Sequence, residues 1–383
     1  MPVSNTHTKT SSSPSGAGAS SLRIIVAGGG TGGHIFPAIA IANAIKQTRP
    51  DTQFLFVGAK GKMEMEKVPQ SGYKIEGLDI AGFERGSLFK NISLPYKLVK
   101  SFMQVSGIFK RFKPNAVIGV GGYSSFPVLR YAQRKGIPTF IHESNSFAGK
   151  SNILLSKYAT KIFVASEGME KFFPADKIVI TGNPVRKSIM DSTIPKEEAL
   201  KFFGLDPNKK TILAVGGSLG ARSINRVLAT HISELGPLNL QLIWQTGKTT
   251  ADLYIQSGKG KPYVWVSDFI QEMDKAYAAA DVVISRAGAM AVAELCIAKK
   301  AVVFVPFPFA AEDHQTANAK HLVNRNAALM VKDEEAQGKL FPTVTNLVFD
   351  NKKIATLEHN IATLAVTDAA DTIAVKILNA LNP

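Results

Sequence analysis

The stretch LRIIVAGGGTGGH, residues 22–34, decides the fold of this chain. An apolar, β-branched run that leads through a glycine-rich turn into a helical pattern, here residues 35–45, predicts a strand, a tight loop and the start of a helix. Such a loop exposes backbone N–H groups beside the positive end of a helix dipole, and the two together attract anions. The stretch therefore predicts a loop that binds a phosphate or a sugar.

A second unit of this kind stands in the other half of the chain, where the run TILAV at 211–215 leads into the loop GGSLGAR at 216–222. Short β-branched runs alternate with helical patterns around both units, as is typical of parallel sheets with right-handed crossovers. The pattern indicates an α/β protein with two similar domains that face a shared cleft. Strands are predicted at 22–27, 53–57, 116–120, 139–142, 161–164, 177–181, 211–215, 241–245, 263–266, 281–285 and 301–305.

The composition restricts the class of partner. A net charge of +15 over 383 residues predicts an anionic partner, which is a nucleic acid, an anionic membrane or a phosphorylated ligand. Zinc-finger spacing and aromatic-rich basic strands are missing from the sequence, which disfavours nucleic acid. No apolar run approaches the roughly 18 residues of a membrane-spanning helix, and no signal-peptide core is visible, so we expect a cytosolic protein. The single cysteine, Cys296, is expected to be a buried, inert thiol.

Changes in composition divide the chain into segments. Residues 1–21 are rich in Ser, Thr, Gly and Pro and are expected to be disordered. The N-terminal domain is predicted over 22–185 and the C-terminal domain over 186–367, because an Asn-Pro pair, a charge cluster and a second proline mark a junction near 183–195. A last helix lies within 368–383, and its packing is left open between the two domains, with a return to the N-terminal domain as one option.

The first glycine loop also matches the dinucleotide pattern, with Gly28, Gly30 and Gly33 at the three glycine positions. Alone this pattern is a weak signal. A dinucleotide site also needs an acidic residue at the end of the second strand, to hold a ribose. Here that strand is followed by Lys60, and Asp51 precedes it. Hydride chemistry with NAD is therefore disfavoured, and a loop for a phosphate or sugar is retained.

Polar side chains follow the predicted strands of the first half, namely His34, Tyr123, Glu143 and Asn145. Ligands of open α/β sheets bind beyond the carboxyl ends of the strands, so these side chains are expected to converge on one cleft. A neutral imidazole beside a helix N-terminus can act as a general base. The alternative is that His34 only neighbours a helix cap and that some of the others only tie loops together.

Two further groups of residues suggest binding surfaces. In the second half, Glu294 follows a strand end, where its carboxylate can accept both hydroxyls of a ribose, and the polar cluster 312–318 suits sugar hydroxyls. The basic segment 85–113 carries apolar residues at helical spacing. That segment is either an ordinary amphipathic helix or an apolar patch rimmed by lysines that rests on an anionic bilayer.

Seven motifs occur in the order found in the MurG family, the UDP-N-acetylglucosamine transferases that complete the lipid-linked peptidoglycan precursor. The sequence resembles that family over residues 22–375. The resemblance implies a GT-B fold, which consists of two Rossmann-like domains with a deep cleft between them. The matching motifs are GGTGGHIFPA at 29–38, GGY at 121–123, His142-Glu143 with Asn145, GNPVR at 182–186, GGS with GAR at 216–222, SRAGA at 285–289 and EDHQ at 312–315.

The resemblance also implies the roles of single residues. His34 is the first choice for the general base and Glu143 the second, while Tyr123 lies in the acceptor loop. Contacts with UDP-N-acetylglucosamine are implied for Thr31, Gly32, Gly33, Asn145, Arg186, Ser218, Ile270, Ala289, Met290, Glu294 and Gln315. A membrane-docking patch is implied at Leu88, Ile92, Tyr96, Val99 and Phe102.

The reaction implied by the resemblance is an inverting transfer of N-acetylglucosamine to the 4-hydroxyl of the muramyl residue of undecaprenyl-pyrophosphoryl-muramyl-pentapeptide. We expect no metal and no other cofactor, since the sequence has no Asp-x-Asp motif near the donor site. The implied location is the cytoplasmic face of the bacterial inner membrane, as a peripheral protein of cell-wall synthesis. The alternatives are another GT-B enzyme acting on a glycolipid or a UDP-sugar, such as an epimerase, and a non-catalytic nucleotide-sugar-binding protein.

Overall fold

The computed structural model describes residues 21–82, 94–310 and 313–381. Within these ranges the chain forms two lobes, each built on one wholly parallel sheet. Three sets of predicted positions lie outside the described residues, namely nearly all of the tail 1–21, the patch residues Leu88 and Ile92, and Glu312. No helix in the described part of the chain is long and apolar enough to cross a membrane.

The first lobe contains a seven-stranded sheet in the order β3-β2-β1-β4-β5-β6-β7. Its strands are β1 (Arg23–Ala27), β2 (Gln53–Ala59), β3 (Lys74–Leu78), β4 (Ala116–Gly119), β5 (Thr139–Glu143), β6 (Lys161–Val164) and β7 (Ile178–Ile180). Its helices are α1 (Gly32–Thr48), α2 (Glu64–Gln70), α3 (Leu94–Phe112), α4 (Ser125–Arg134) and α5 (Lys150–Ser156). Because apolar clusters cover both faces of this sheet, its central strands are almost wholly buried.

The second lobe repeats this plan with a six-stranded sheet in the order β10-β9-β8-β11-β12-β13. Its strands are β8 (Lys210–Val215), β9 (Leu240–Gln245), β10 (Val264–Ser267), β11 (Val282–Ser285), β12 (Val302–Phe304) and β13 (Leu329–Met330). Its helices are α6 (Lys187–Met190), α7 (Lys196–Phe202), α8 (Arg222–His231), α9 (Ala251–Gly258), α10 (Met273–Ala279), α11 (Ala289–Ala298), α12 (His314–Val323), α13 (Ala336–Phe349) and α14 (Asn351–Ala362). The predicted fold class, α/β with two Rossmann-like lobes, is confirmed.

All eleven predicted strands are present, with ends that differ by at most two residues. Two strands, β3 and β13, were not predicted. β3 lies at a sheet edge, is only partly buried and is interrupted by Glu76 and Gly77, so it lacks an apolar run. β13 pairs through two residues only. Cys296 is buried on α11, as expected, and burial raises its pKa to about 12, so the thiol stays protonated and inert.

The last helix, α15 (Ala369–Leu381), returns from the second lobe to the first. Its apolar face, which includes Ile373, Ala374 and Ile377, belongs to the same buried cluster as α1. α1 begins at the first glycine loop, so the C-terminal segment of the chain supports the helix on which that loop is mounted.

Removal of apolar volume from this contact is expected to destabilise the first lobe. Ile377 is fully buried, and Ile377→Ala should lower the free energy of unfolding by about 2–5 kcal/mol, because the substitution leaves a cavity. Val375 on the same helix is 46% exposed, so Val375→Ala is the matched control and should have little effect. Denaturant unfolding of both variants tests the expectation, which equal losses of stability would contradict.

Candidate active site

The glycine loop after β1 packs directly against the loop after β4. Gly29 and Gly30 have φ angles of 150° and 90°, a region that favours glycine. A Cβ at Gly28 would lie 2.6 Å from the Gly121 carbonyl oxygen, and one at Gly122 would lie 2.6 Å from the Gly29 carbonyl oxygen. Backbone therefore lies against backbone, and no side chain can be accommodated between the two loops.

His34 lies in the first turn of α1, and its ring is anchored to the first glycine loop. Its Nδ1 is 3.0 Å from the Gly29 carbonyl oxygen, an atom that can only accept a hydrogen bond. Nδ1 therefore carries the proton in the neutral ring, and Nε2 is the basic nitrogen. A Cβ at Gly121 would lie 3.0 Å from Nε2, so the glycine there leaves this edge of the ring uncovered. The arrangement suits a general base whose free nitrogen faces a substrate.

Glu143, at the end of β5, is buried and its carboxylate is fully engaged. Oε1 accepts hydrogen bonds from the backbone N–H and the side-chain amide of Asn145, at 3.1 and 3.2 Å. Oε2 accepts from the Gly149 N–H at 3.0 Å and from the Asn152 side chain at 2.9 Å. With four donors around it, the carboxylate orders the loop after β5 and fixes the position of Asn145.

His142 precedes Glu143 and is fully buried inside the first lobe. Burial lowers the pKa of His142 to about 3, and the nearby His34 ring lowers it further by repulsion, while the Gly182 backbone acts in the opposite direction. The ring is thus neutral throughout the physiological range.

The neutral state of His142 makes stability depend on pH. Between pH 6.5 and about pH 3 the unfolded chain binds a proton at this ring that the folded protein excludes, so stability falls as the pH falls through that window. The free energy of unfolding of the wild-type protein should fall by up to about 1.4 kcal/mol per pH unit because of this ring, and His142→Asn should abolish that contribution. Denaturant unfolding at a series of pH values in the window tests this, with the exposed His359→Asn as control. Identical slopes for the two variants would contradict the assignment.

Tyr123 lies in the loop after β4, half-buried against Gly82, where a Cβ would lie 2.9 Å from the Tyr123 ring. Burial raises the pKa of Tyr123, and the negative charge of Glu64 contributes to the shift. The hydroxyl therefore remains a hydrogen-bond donor at neutral pH. Tyr123 belongs to the loop that the resemblance assigns to the acceptor.

In the second lobe, the loop after β8 is pressed against the loop after β9. A Cβ at Gly220 would lie 2.2 Å from the Thr246 carbonyl oxygen, and one at Gly247 would lie 2.0 Å from the Gly220 nitrogen. The Lys248 N–H also donates to the Ser218 carbonyl oxygen at 3.1 Å. These contacts hold Ser218 in a fixed loop directly before α8, where backbone N–H groups and the helix dipole favour an anion.

Gln245, at the end of β9, was not identified from the sequence. Its side-chain amide donates to the Gly217 carbonyl oxygen at 3.1 Å, and its oxygen accepts from the Ile270 N–H at 2.9 Å. Gln245 therefore joins the glycine loop to the segment of Ile270, a residue that the resemblance implies to contact UDP-N-acetylglucosamine. The Ile270 N–H is thus already bonded within the protein and is not free to donate to UDP-N-acetylglucosamine.

Arg186 and Glu294, which lie 108 residues apart in sequence, form a largely buried ion pair with an N–O distance of 3.0 Å. The other oxygen of Glu294 accepts from the Tyr277 hydroxyl at 3.2 Å. Burial and the Glu294 carboxylate raise the pKa of Tyr277 well above its usual range. The Arg186 guanidinium also lies 4.1 Å from the centre of the Phe36 ring on α1. Arg186 thus touches both lobes. Neither Tyr277 nor Phe36 was predicted as a site residue, because the contacts of both depend on how distant segments pack.

Three of the protein residues predicted to contact UDP-N-acetylglucosamine, Ala289, Met290 and Gln315, lie in the first turns of α11 and α12. Ala289 and Met290 are partly exposed in the first turn of α11. The side-chain amide of Asn318 on α12 donates to the Ala287 carbonyl oxygen at 3.0 Å, which ties the two helix starts together. The Gln315 side-chain oxygen accepts from the Phe307 N–H at 3.0 Å, so the Gln315 amide is held in one orientation.

Two further contacts join the lobes through α2. Lys248 lies 3.5 Å from the Glu66 carboxylate, and the Lys67 ammonium lies 4.7 Å from the centre of the Phe269 ring. Together with Arg186 over Phe36, these contacts set the two glycine-rich ends of the sheets against one shared cleft. The predicted residues all lie at or after the carboxyl ends of strands, with Thr31, Gly32, Gly33, His34, Tyr123, Glu143 and Asn145 on one lobe and Arg186, Ser218, Ile270, Ala289, Met290, Glu294 and Gln315 on the other.

The predicted membrane patch is separate from these residues, on α3. Tyr96 and Val99 are 69% and 60% exposed, and Met103 beside them is 64% exposed. Phe102 is less exposed and lies under the Arg134 guanidinium, 5.9 Å from ring centre to charge. Large apolar side chains exposed together on a basic helix are typical of a docking surface.

Comparisons with known proteins identify similar chains. The model of the glycosyltransferase family 28 N-terminal domain matches residues 24–164, and that of the family 28 C-terminal domain matches residues 211–373. A protein of Parabacteroides distasonis named UDP-N-acetylglucosamine–N-acetylmuramyl-(pentapeptide) pyrophosphoryl-undecaprenol N-acetylglucosamine transferase is 52% identical over 363 residues, covering 94% of this chain and 98% of its own. A Flavobacterium psychrophilum protein of the same name is 48% identical, covering 93% and 97%.

Solved structures show the same architecture. The crystal structure of Acinetobacter baumannii MurG superposes with a TM-score of 0.67 at 29% identity, covering 94% of this chain and 99% of the other. A UDP-GlcNAc 2-epimerase from Neisseria meningitidis superposes with a TM-score of 0.66 at 16% identity, covering 94% and 100%. The second likeness concerns the fold alone.

Proposed function

This chain belongs to the MurG family of hexosyltransferases, and from that premise we propose that it transfers N-acetylglucosamine from UDP-N-acetylglucosamine to the 4-hydroxyl of a lipid-linked muramyl-pentapeptide. The observation that carries the proposal is the pair Arg186 and Glu294. It places a cation directly before α6 beside a carboxylate in the middle of α11, where the Arg186 guanidinium also meets Phe36 of the first lobe. A nucleotide-sugar diphosphate offers anionic oxygens to the first and ribose hydroxyls to the second.

The donor occupies the second lobe in this proposal. The loop around Ser218 and the N-terminus of α8 face the diphosphate, because oriented N–H groups stabilise phosphate oxygens. The buried Nε of Arg186 has no hydrogen-bond partner within the described residues, and it donates to a phosphate oxygen. The ribose hydroxyls donate hydrogen bonds to the Glu294 carboxylate, which already accepts from Arg186 and Tyr277. Ala289, Met290 and Gln315 contact the sugar, and Thr31, Gly32, Gly33 and Asn145 close the pocket from the first lobe.

His34 is the general base of the proposed reaction. The acceptor oxygen attacks the anomeric carbon from the face opposite UDP, its proton passes to Nε2 of His34, and the bond to the diphosphate breaks with its electron pair leaving on UDP. Inversion at the anomeric carbon follows. The four hydrogen bonds on the Glu143 carboxylate favour a positioning role for Glu143 through Asn145, because they occupy both of its oxygens.

The protein supplies charge stabilisation through its own groups. Negative charge develops on the leaving diphosphate, next to the Arg186 guanidinium and the loop that carries Ser218. Closure of the cleft by the contacts of α2 with Lys248 and Phe269 excludes water, whose attack on the donor would give hydrolysis instead of transfer.

The acceptor reaches the first lobe from a membrane surface in this proposal. The exposed apolar residues of α3 and its basic neighbours rest on the anionic cytoplasmic face of the bacterial inner membrane. A peripheral protein held in this way meets a lipid-linked acceptor whose sugar stands at the headgroup level, while the donor diffuses in from water. A nucleic-acid partner has no place in this arrangement.

The test is release of UDP from UDP-N-acetylglucosamine, with and without a lipid-linked muramyl-pentapeptide. Acceptor-dependent release together with a disaccharide product supports the proposal. Release without acceptor dependence would indicate hydrolysis or another acceptor, and conversion of the donor sugar itself would indicate an epimerase. UDP binding without any turnover would identify a non-catalytic binding protein.

A further inference from the structure

Glu64, the first residue of α2, is a buried carboxylate to which neither the sequence motifs nor the proposed reaction gives a role. Its exposed fraction is 1%. One oxygen accepts the Ala59 N–H at 2.9 Å and the other accepts the Gly30 N–H at 2.8 Å. Glu64 therefore connects the end of β2 with the glycine loop after β1.

The surrounding backbone is shaped to admit this carboxylate. A Cβ at Gly29 would lie 2.3 Å from the Glu64 carboxyl carbon, and a Cβ at Gly58 would lie 2.4 Å from Glu64 Cγ. Any other residue at either glycine would collide with Glu64. The requirement for glycine at these two positions thus comes from Glu64.

The Gly30 N–H and the Gly29 carbonyl belong to one peptide group, and Glu64 binds its N–H end while His34 Nδ1 binds its oxygen end. A carboxylate that accepts from the N–H polarises the peptide, which makes the carbonyl a stronger acceptor. A stronger acceptor holds the Nδ1 proton more firmly, leaves Nε2 unprotonated and stabilises the imidazolium that forms when Nε2 takes a proton. The third member of a nucleophile–base–carboxylate set acts on its histidine in the same sense.

We propose that Glu64 is a positioning residue for the transfer reaction, which acts on His34 through the peptide group between Gly29 and Gly30. We call the Glu64 carboxylate and the Gly29–Gly30 peptide group that it holds the clamp. This inference rests on the proposed function, because it takes the clamp to serve the base His34. It extends the site to a residue of α2 that has no contact with either substrate in the proposed arrangement.

The decisive variant is Glu64→Gln, whose amide group turns one N–H toward a backbone N–H and removes the charge. We expect kcat to fall by at least about 10-fold, but by no more than the roughly 10²- to 10⁴-fold that the positioned base itself contributes. The KM for UDP-N-acetylglucosamine should change little. The ¹⁵N resonances of the His34 ring should show a single Nδ1–H tautomer in the wild-type protein and a mixture in the variant.

The matched control is Asp281→Asn in the second lobe. Asp281 is also a largely buried carboxylate that accepts a backbone N–H, from Thr211 at 2.8 Å, and it precedes β11 at the amino end of the sheet, away from the cleft. The Asp281→Asn variant should be less stable than the wild-type protein but should keep its kcat. An equal loss of kcat in both variants, or wild-type kcat and tautomer in Glu64→Gln, would overturn the proposal.

The tautomer measurement separates this inference from the proposed function because it needs no turnover. A wild-type protein without transfer activity would refute the function while the His34 spectrum still tests the clamp. If Glu64→Gln does not fold, Glu64→Asp keeps the charge with a shorter reach, and it should show an intermediate kcat and a partly mixed tautomer. A wild-type spectrum with the proton on Nε2 would refute the clamp without any variant.

Discussion

Replacement of His34 by alanine is expected to lower kcat by about 10²- to 10⁴-fold, since this is the usual contribution of a positioned general base. The Nδ1 hydrogen bond to the Gly29 carbonyl leaves Nε2 as the basic atom, and the glycine at 121 leaves it accessible. The KM for UDP-N-acetylglucosamine should change little, because the donor contacts lie mainly in the second lobe. Steady-state kinetics with saturating acceptor measure both constants.

The control for this prediction is His359→Ala, an exposed histidine on α14. It should leave kcat, KM and stability unchanged. If His34→Ala also retains kcat within a few-fold of wild type, His34 is not the base, and the role would pass to Glu143 despite its four hydrogen bonds. A loss of kcat accompanied by unfolding would be recognised by circular dichroism, and His34→Gln then replaces the alanine variant.

Replacement of Arg186 by methionine is expected to have the largest effect on stability. The side chains of Arg186 and Glu294 are only 16% and 10% exposed, so the variant leaves a nearly buried carboxylate without its cation. Loss of one partner of such a pair costs about 3–5 kcal/mol. UDP binding should weaken as well, since the guanidinium provides a charged donor to the diphosphate in the proposed site.

A double variant separates these two effects. Arg186→Met with Glu294→Gln should recover much of the stability, because no unpaired charge stays buried, but it should not recover UDP affinity. Lys339→Met is the control, because Lys339 pairs with Glu335 at 2.8 Å with both side chains exposed, and such pairs contribute about 0–1 kcal/mol. Denaturant unfolding and calorimetric UDP titration give the two quantities. Full UDP affinity in Arg186→Met would remove Arg186 from the donor site.

The sequence by itself determined the fold class and most strands of both sheets. Central strands of parallel sheets are buried on both faces, so they stand out as continuous β-branched runs such as 22–27 and 211–215. The glycine loops were equally visible, because close backbone approach and positive φ leave few other residues possible at Gly29 or Gly220. An edge strand such as β3 is only partly buried, and it escaped prediction for that reason.

Only the tertiary structure decided how the site is assembled from these parts. The partner of Glu294 is Arg186, and the partners of Glu64 are two backbone N–H groups, one at the end of β2 and one on the first glycine loop. The return of α15 to the first lobe likewise depends on which apolar face it meets. Local sequence carries the periodicity and turn chemistry that form strands and loops. Pairing between residues far apart in the chain is set by the packing of whole elements, so the chemistry of single residues in the cleft became visible only in three dimensions.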